Sequence, residues 1–209
     1  AMKRPAPTRL YLMRHGEVEE RYQRVFGGRL DMDLSPRGRQ QAEALAAYLR
    51  ETHFDAVYAS PMLRARRTLE PLAATNGYQP VFCEGLREVD FGAWTGFTWE
   101  EVRARFGKSA YDWLHELEAG GIPGAEPVPA WRQRVAACLD QILARHPGGT
   151  VAVVCHGGVI RVALAHLLDL PLPKLAHFEV DYASLTLLEH RPGRSVVRLL
   201  NFTPWSRPA

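Results

Sequence analysis

The chain predicts an α/β fold with a mainly parallel central sheet and helices on both of its faces, and three observations carry that prediction. Short apolar runs alternate with amphipathic segments along the chain, the order that builds parallel sheets. The runs at 10–13, 55–59 and 151–155 are nearly continuous in apolar residues, as strands buried on both faces are. Two of these runs end in the same pair, His15-Gly16 and His156-Gly157. Ligands of such sheets gather beyond the carboxyl ends of the strands.

The elements follow in order. Leu10, Tyr11, Leu12 and Met13 form the first strand, bounded by Pro5 and Pro7 upstream and by Gly16 downstream. A polar loop through Gly27 and Gly28 leads to Ser35-Pro36, a cap followed by proline at the first helical position. The helix runs to about Arg50, with Ala42, Leu45, Ala46 and Leu49 on one stripe. A second strand at 55–59 precedes Ser60-Pro61, which repeats the cap signal for a helix closed by Gly77. Val81 and Phe82 suggest a third strand. Thr98-Trp99-Glu100-Glu101 is a capping box opening a helix to about Phe106. The stretch 120–129 reads as a loop between subsidiary helices, so a small helical insertion is expected at about 95–129 within one domain spanning 1–209. Trp131, Val135, Cys138, Leu139 and Ile142 mark another helix, ended by Pro147-Gly148-Gly149. After the strand at 151–155 come a helix at 159–168 and two closing strands near 185–188 and 196–200. Of the aromatics Trp99, Phe106, Tyr111 and Trp113, most are assigned to the core.

Composition narrows the function. With 46% hydrophobic residues in 209, the chain buries one sizeable core. No apolar run approaches the roughly 20 residues of a membrane span, and the start lacks a secretory apolar core, so a cytoplasmic location is expected. Cys83, Cys138 and Cys155 are widely spaced and read as buried thiols. Net charge is +3. Arginines cluster at 37 and 39, at 64, 66 and 67, and at 103 and 105. They lack the interleaved aromatics of a nucleic-acid surface. An anionic small molecule suits them better, because guanidinium pairs with phosphate or carboxylate in bidentate fashion.

If the two His-Gly strands are parallel neighbours, both imidazoles meet at one edge of the sheet. Arg14 stands beside His15, and Arg64 enters from the first turn of the helix after the second strand. Each residue alone has an ordinary reading: a surface Arg-His pair, a satisfied core histidine, an arginine on a solvated helix. His53, His115, His146, His166, His177 and His190 have no comparable setting and are assigned to structure or solvent.

The motifs Arg14-His15-Gly16-Glu17, Leu34-Ser35-Pro36-Arg37-Gly38, Ser60-Pro61-Met62-Leu63-Arg64-Ala65, Leu86-Arg87-Glu88-Val89-Asp90-Phe91-Gly92 and His156-Gly157-Gly158 come in this order. In them the chain resembles the histidine phosphatase superfamily, of phosphoglycerate mutase-like fold. The resemblance implies that His15 attacks phosphorus, that Arg14, Arg64 and His156 bind the phosphoryl oxygens, and that Glu88 is the general acid, with Asp90 its competitor. Arg21, Gly28 and Gly157 are expected to contact substrate. Many relatives carry Ser or Thr after the motif's glutamate and Asn near position 21; Val18 and Arg21 stand there instead. Phosphoryl transfer is chiefly positioning and electrostatic stabilisation of charge on the equatorial oxygens, work that arginines and a donating histidine perform.

The resemblance therefore implies a phosphomonoester hydrolase working through a phosphohistidine on a small phosphorylated metabolite, with no cofactor, metal, nucleic acid or membrane involved. Within the family Phe91-Gly92 stands where mutases carry Tyr-Gly, favouring hydrolysis over mutase-type phosphoryl transfer, and the late segment His177-Phe178-Glu179-Val180-Asp181 is similar to α-ribazole and broad-specificity phosphatases. A metal-dependent hydrolase is disfavoured because two arginines beside the histidines repel a divalent cation. A non-catalytic phosphate-binding or partner-binding module, suggested by Val18 and Arg21, is the alternative of another class.

Overall fold

In the computed structural model, described here for residues 5–206, strands β1 (Thr8–Arg14), β2 (Ala56–Ala59), β3 (Val81–Phe82), β4 (Thr150–Cys155), β5 (Leu185–Arg191) and β6 (Arg194–Phe202) form one sheet in the order β3-β2-β4-β1-β5-β6. β3, β2, β4 and β1 run parallel; β5 and β6 close the other edge as an antiparallel pair. Six α-helices accompany them: α1 (Pro36–Tyr48), α2 (Leu63–Asn76), α3 (Trp99–Phe106), α4 (Trp113–Glu118), α5 (Val128–Arg145) and α6 (Gly157–Leu168).

Two apolar layers arise from the two-residue period of the strands. Tyr11, Met13, Val57, Ala59 and Val154 face α1 and α2, where Leu45, Leu49, Leu69 and Leu72 cover them. Leu10, Leu12, Tyr58, Val153 and Cys155 face the other way, onto Trp131, Val135 and Leu139 of α5 and Val159 and Ile160 of α6. Val102 of α3 and Leu114 and Leu117 of α4 extend this second layer. The central strands are buried on both faces, so they read as unbroken apolar runs. No helix among the described residues is long and apolar enough to cross a membrane.

Most element boundaries agree with the sequence reading to within a few residues. Ser35 caps α1, its side chain accepting from Gly38 N–H at 2.9 Å. Thr98 and Glu101 form the capping box of α3, and Gly77 closes α2 with a left-handed φ of +66°. Ser60 is a correction. α2 begins at Leu63 with Met62 at the cap and no side-chain cap bond; the Ser60 hydroxyl is spent elsewhere, on His156. α6 begins at Gly157, two residues earlier than expected, and α5 at Val128. The aromatic assignment also changes: Trp99 and Tyr111 are exposed, Trp113 is half-buried, and Phe106 packs at the edge of the core. Of the three thiols only Cys155 is fully buried, while Cys83 and Cys138 lie half-buried, because α5 turns position 138 off its buried stripe of Trp131, Val135, Leu139 and Ile142.

Candidate active site

β1 and β4 are adjacent and parallel, with Arg14 opposite Cys155, so the residues that follow them must meet. His15 N–H donates to the Cys155 carbonyl at 3.0 Å, and the His15 and His156 rings lie 5.3 Å apart. The chain leaves β1 through a tight passage: a side chain at Gly16 would meet the Gly38 carbonyl oxygen at 2.6 Å. Thr68 Oγ1 accepts from Gly16 N–H at 2.9 Å and donates to the Arg64 carbonyl at 2.8 Å, tying this turn to the helix that carries Arg64.

His15 is buried, and its Nδ1 lies 2.8 Å from the Gly16 carbonyl. A carbonyl oxygen only accepts, so in the neutral ring the proton sits on Nδ1 and the lone pair on Nε2. Burial, then Arg64 and Arg14, push the His15 pKa well below the ordinary imidazole value, against the opposing pull of the Gly16 carbonyl. The ring is neutral at physiological pH and presents a nucleophilic nitrogen.

Arg64 points its Nε at that nitrogen, 3.3 Å away. Its Nη1 and Nη2 donate to the Leu30 and Gly28 carbonyls at 2.8 and 2.7 Å. Burial lowers its pKa to about 10, so it stays charged at neutral pH. Arg14 donates Nη1 to the Val180 carbonyl at 2.6 Å and lies over the Tyr182 ring at 4.4 Å. Its Nε is buried without a protein partner.

His156 is fully buried, and burial followed by Arg64, His15 and Arg14 holds it neutral. Its Nε2 lies 2.7 Å from Ser60 Oγ, while its Nδ1 has no partner. Ser60 Oγ also accepts from Met62 N–H at 3.3 Å, and among the described residues His156 Nε2 is the one acceptor within reach of the hydroxyl proton, so we assign that proton as donated to Nε2. His156 then carries its own proton on Nδ1, as a donor awaiting an acceptor.

Glu88 lines the same cleft. Its Oε2 accepts from Gly158 N–H and its Oε1 from Val89 N–H, both at 2.9 Å. Its carbonyl accepts from Arg29 Nε at 2.9 Å and Arg134 Nη2 at 3.2 Å, and Arg134 is held by a bidentate pair with Glu126. Asp90 does not line the cleft; its Oδ1 accepts from Gly92 N–H at 2.8 Å.

The cleft, about 270 Å³, thus gathers Arg14, His15, Arg64, Glu88, Gly28 and Gly157 beside the buried His156. Val18 is among its apolar walls, with Phe26, Phe91, Trp99 and Trp113. Arg21 is not brought in: its exposed guanidinium pairs with Glu19 at 3.5 Å and stacks over Tyr22 at 4.6 Å, and Tyr22 faces the cleft instead. The sequence reading missed Ser60, taken for a cap, and gave Arg134, Arg161 and Tyr182 no role. For Arg161 a signal existed: it lies one helical turn beyond Gly157, on the same face. Among the described residues no group of three or more His, Cys, Asp or Glu side chains has the spacing to hold a metal ion.

Known proteins share this arrangement's framework. The model of the histidine phosphatase superfamily, branch 1, matches residues 10–203. Phosphoserine phosphatase 1 of Hydrogenobacter thermophilus is 32% identical over 196 residues, covering 94% of this chain and 93% of that protein. The adenosylcobalamin/alpha-ribazole phosphatase of Salmonella typhimurium is 26% identical over 96% of this chain and 99% of its own length. The crystal structure of phosphoserine phosphatase from Entamoeba histolytica in complex with 3-phosphoglyceric acid superposes with a TM-score of 0.80, at 28% identity, over 95% of this chain and 98% of that one. By a family match that spans nearly its whole described length, this chain belongs to the histidine phosphatase superfamily, branch 1.

Proposed function

We propose that the protein hydrolyses phosphate monoesters of small metabolites in two steps through phosphorylated His15. The observation that carries this reading is the state of the His15 ring: its proton bound at the Gly16 carbonyl, its Nε2 lone pair facing the Arg64 Nε. Relatives named phosphoserine phosphatase and alpha-ribazole phosphatase support the substrate class.

In the first step Nε2 attacks phosphorus and the bond to the leaving oxygen breaks. For this the Arg64 Nε–H that donates to Nε2 in the free site turns to an equatorial oxygen, freeing the lone pair, and with Arg14 Nε and His156 Nδ1 it supplies N–H groups to the oxygens where charge accumulates. Arg14 Nε and His156 Nδ1 are buried without protein partners, a costly state that a bound oxyanion relieves. Glu88 gives its proton to the leaving alkoxide. Each of its oxygens accepts one backbone amide and keeps a second lone pair for that proton. In the second step Glu88 takes a proton from water, the hydroxide attacks phosphorus, and the bond to Nε2 breaks.

The reaction needs no metal on this reading. The cleft's charged walls are Arg14, Arg64 and Arg161 against the single carboxylate of Glu88, a field that repels a cation. Hydrolysis of p-nitrophenyl phosphate should persist undiminished in chelator and vanish in His15→Ala, and labelled phosphate trapped by an alkaline detergent quench, which preserves the acid-labile P–N bond, should sit on His15. Label on another residue, or activity lost to chelator and restored by metal, overturns the mechanism.

A further inference from the structure

We propose that Arg161 reads a carboxylate on the alcohol half of the substrate, so that the preferred phosphate ester carries a second, carboxylate anion. The inference rests on the phosphatase reading above and deepens it. Arg161 lies on α6, and its side chain reaches into the cleft. Nε donates to the Leu175 carbonyl at 3.4 Å and Nη2 to the Phe178 carbonyl at 3.1 Å. These bonds fix the plane of the guanidinium and leave Nη1 over Gly157. Nη1 and Arg14 Nε each stand 3.4 Å from the point a Gly157 side chain would occupy, so the glycine opens a shared space between two cations.

Arg161 forms no ion pair within 4.0 Å among the described residues. Burial, then Arg14, works against its charge, while Glu88, Glu179 and Asp181 favour it from a distance. A largely buried guanidinium without a carboxylate partner costs stability, which a ligand anion offsets. Its position points to the leaving-group side. Arg64 Nε lies 3.3 Å from His15 Nε2, the nitrogen that meets phosphorus, whereas Arg161 has no hydrogen bond to His15 among the described residues and is held by Leu175 and Phe178 on the Trp113 side of the cleft. Trp113 lies 5.7 Å beneath the guanidinium and also lines the cleft, giving the carbon skeleton an apolar wall.

The test compares 3-phosphoglycerate with glycerol 3-phosphate, which differ in carboxylate against hydroxymethyl, in wild type, Arg161→Gln and Arg161→Lys. Wild type should favour 3-phosphoglycerate in kcat/KM by about 10-fold or more, the worth of one charge-assisted hydrogen bond. In Arg161→Gln that ratio should collapse toward one, the change lying mainly in KM, with Arg161→Lys between. No wild-type preference, a ratio unchanged in Arg161→Gln, or equal losses on both esters overturns the proposal. Equal losses would place Arg161 on the phosphoryl group. Wild-type hydrolysis of p-nitrophenyl phosphate, which has no carboxylate, tests the parent reading separately.

Discussion

Gly158→Ala tests the placement of the proton donor. The added Cβ would stand 2.5 Å from Glu88 Oε1, 3.0 Å from the Glu88 carboxyl carbon and 2.9 Å from a ring carbon of Trp131. Real Cβ atoms essentially never approach within 3.0 Å, so the carboxylate must retreat by about half an ångström. It is not a free end. Gly158 N–H and Val89 N–H hold its two oxygens at 2.9 Å, and Trp131 behind it is fully buried. Overpacking a held site costs about 1–3 kcal/mol, and a misplaced general acid forfeits part of the roughly 10²–10⁴-fold that positioned proton transfer contributes. We expect kcat/KM, which reports the phosphorylation step alone, to fall about 10- to 100-fold for alkyl phosphates, whose alkoxide needs the proton, and less than about 3-fold for p-nitrophenyl phosphate. The assay is steady-state kcat/KM on both esters for Gly158→Ala, Glu88→Gln and the double variant. Both changes act through one carboxylate, so the double variant should lose little more than Glu88→Gln alone. Equal losses on the two esters, or losses that multiply in the double variant, would refute the reasoning.

Removing the hydroxyl in Ser60→Ala leaves His156 Nε2 buried without a partner, which should cost about 1–3 kcal/mol of stability and mix the ring's tautomers. The ¹⁵N shifts of His156 should report a single tautomer protonated on Nδ1 in wild type and a mixture in the variant; an unchanged spectrum counts against the Ser60 bond. The two buried histidines also set a pH dependence. Burial, seconded by the arginines, depresses both folded-state pKa values, so below about 6.5 the unfolded chain binds protons that the folded one does not. Stability is fully present above that pH and falls beneath it by up to about 1.4 kcal/mol per pH unit for each ring. Urea unfolding at pH 7.5 and 5.5 should show wild type losing more than His15→Ala; identical losses contradict the buried neutral state.

How far the site was legible depends on how each residue is placed. His15 and His156 each follow a parallel strand by one residue, so neighbouring strands bring them together without help from any side chain. Arg64 sits in the first turn of a helix whose strand lies on the other side of β4, and helical phase aims it at the same edge. Arg21 shows the opposite case. Its loop position allowed contact with substrate, but Glu19 and Tyr22 hold the guanidinium outside. Ser60-Pro61 had the composition of a cap, yet the chain extends two more residues before α2, and the hydroxyl turns to His156.

The layers, the strand-end edge of the sheet and the residues delivered there were legible in the residue order alone, because they follow from local periodicity and chain direction. Packing between distant segments sets which tautomer each histidine holds, that Glu88 rather than Asp90 faces the cleft, that Trp99 and Trp113 wall it, and that Arg161 stands over Gly157 without an ion-pair partner. Those outcomes depend on contacts between residues far apart in the chain, such as Ser60 with His156 and Glu88 with Gly158, and no spacing within one segment encodes them.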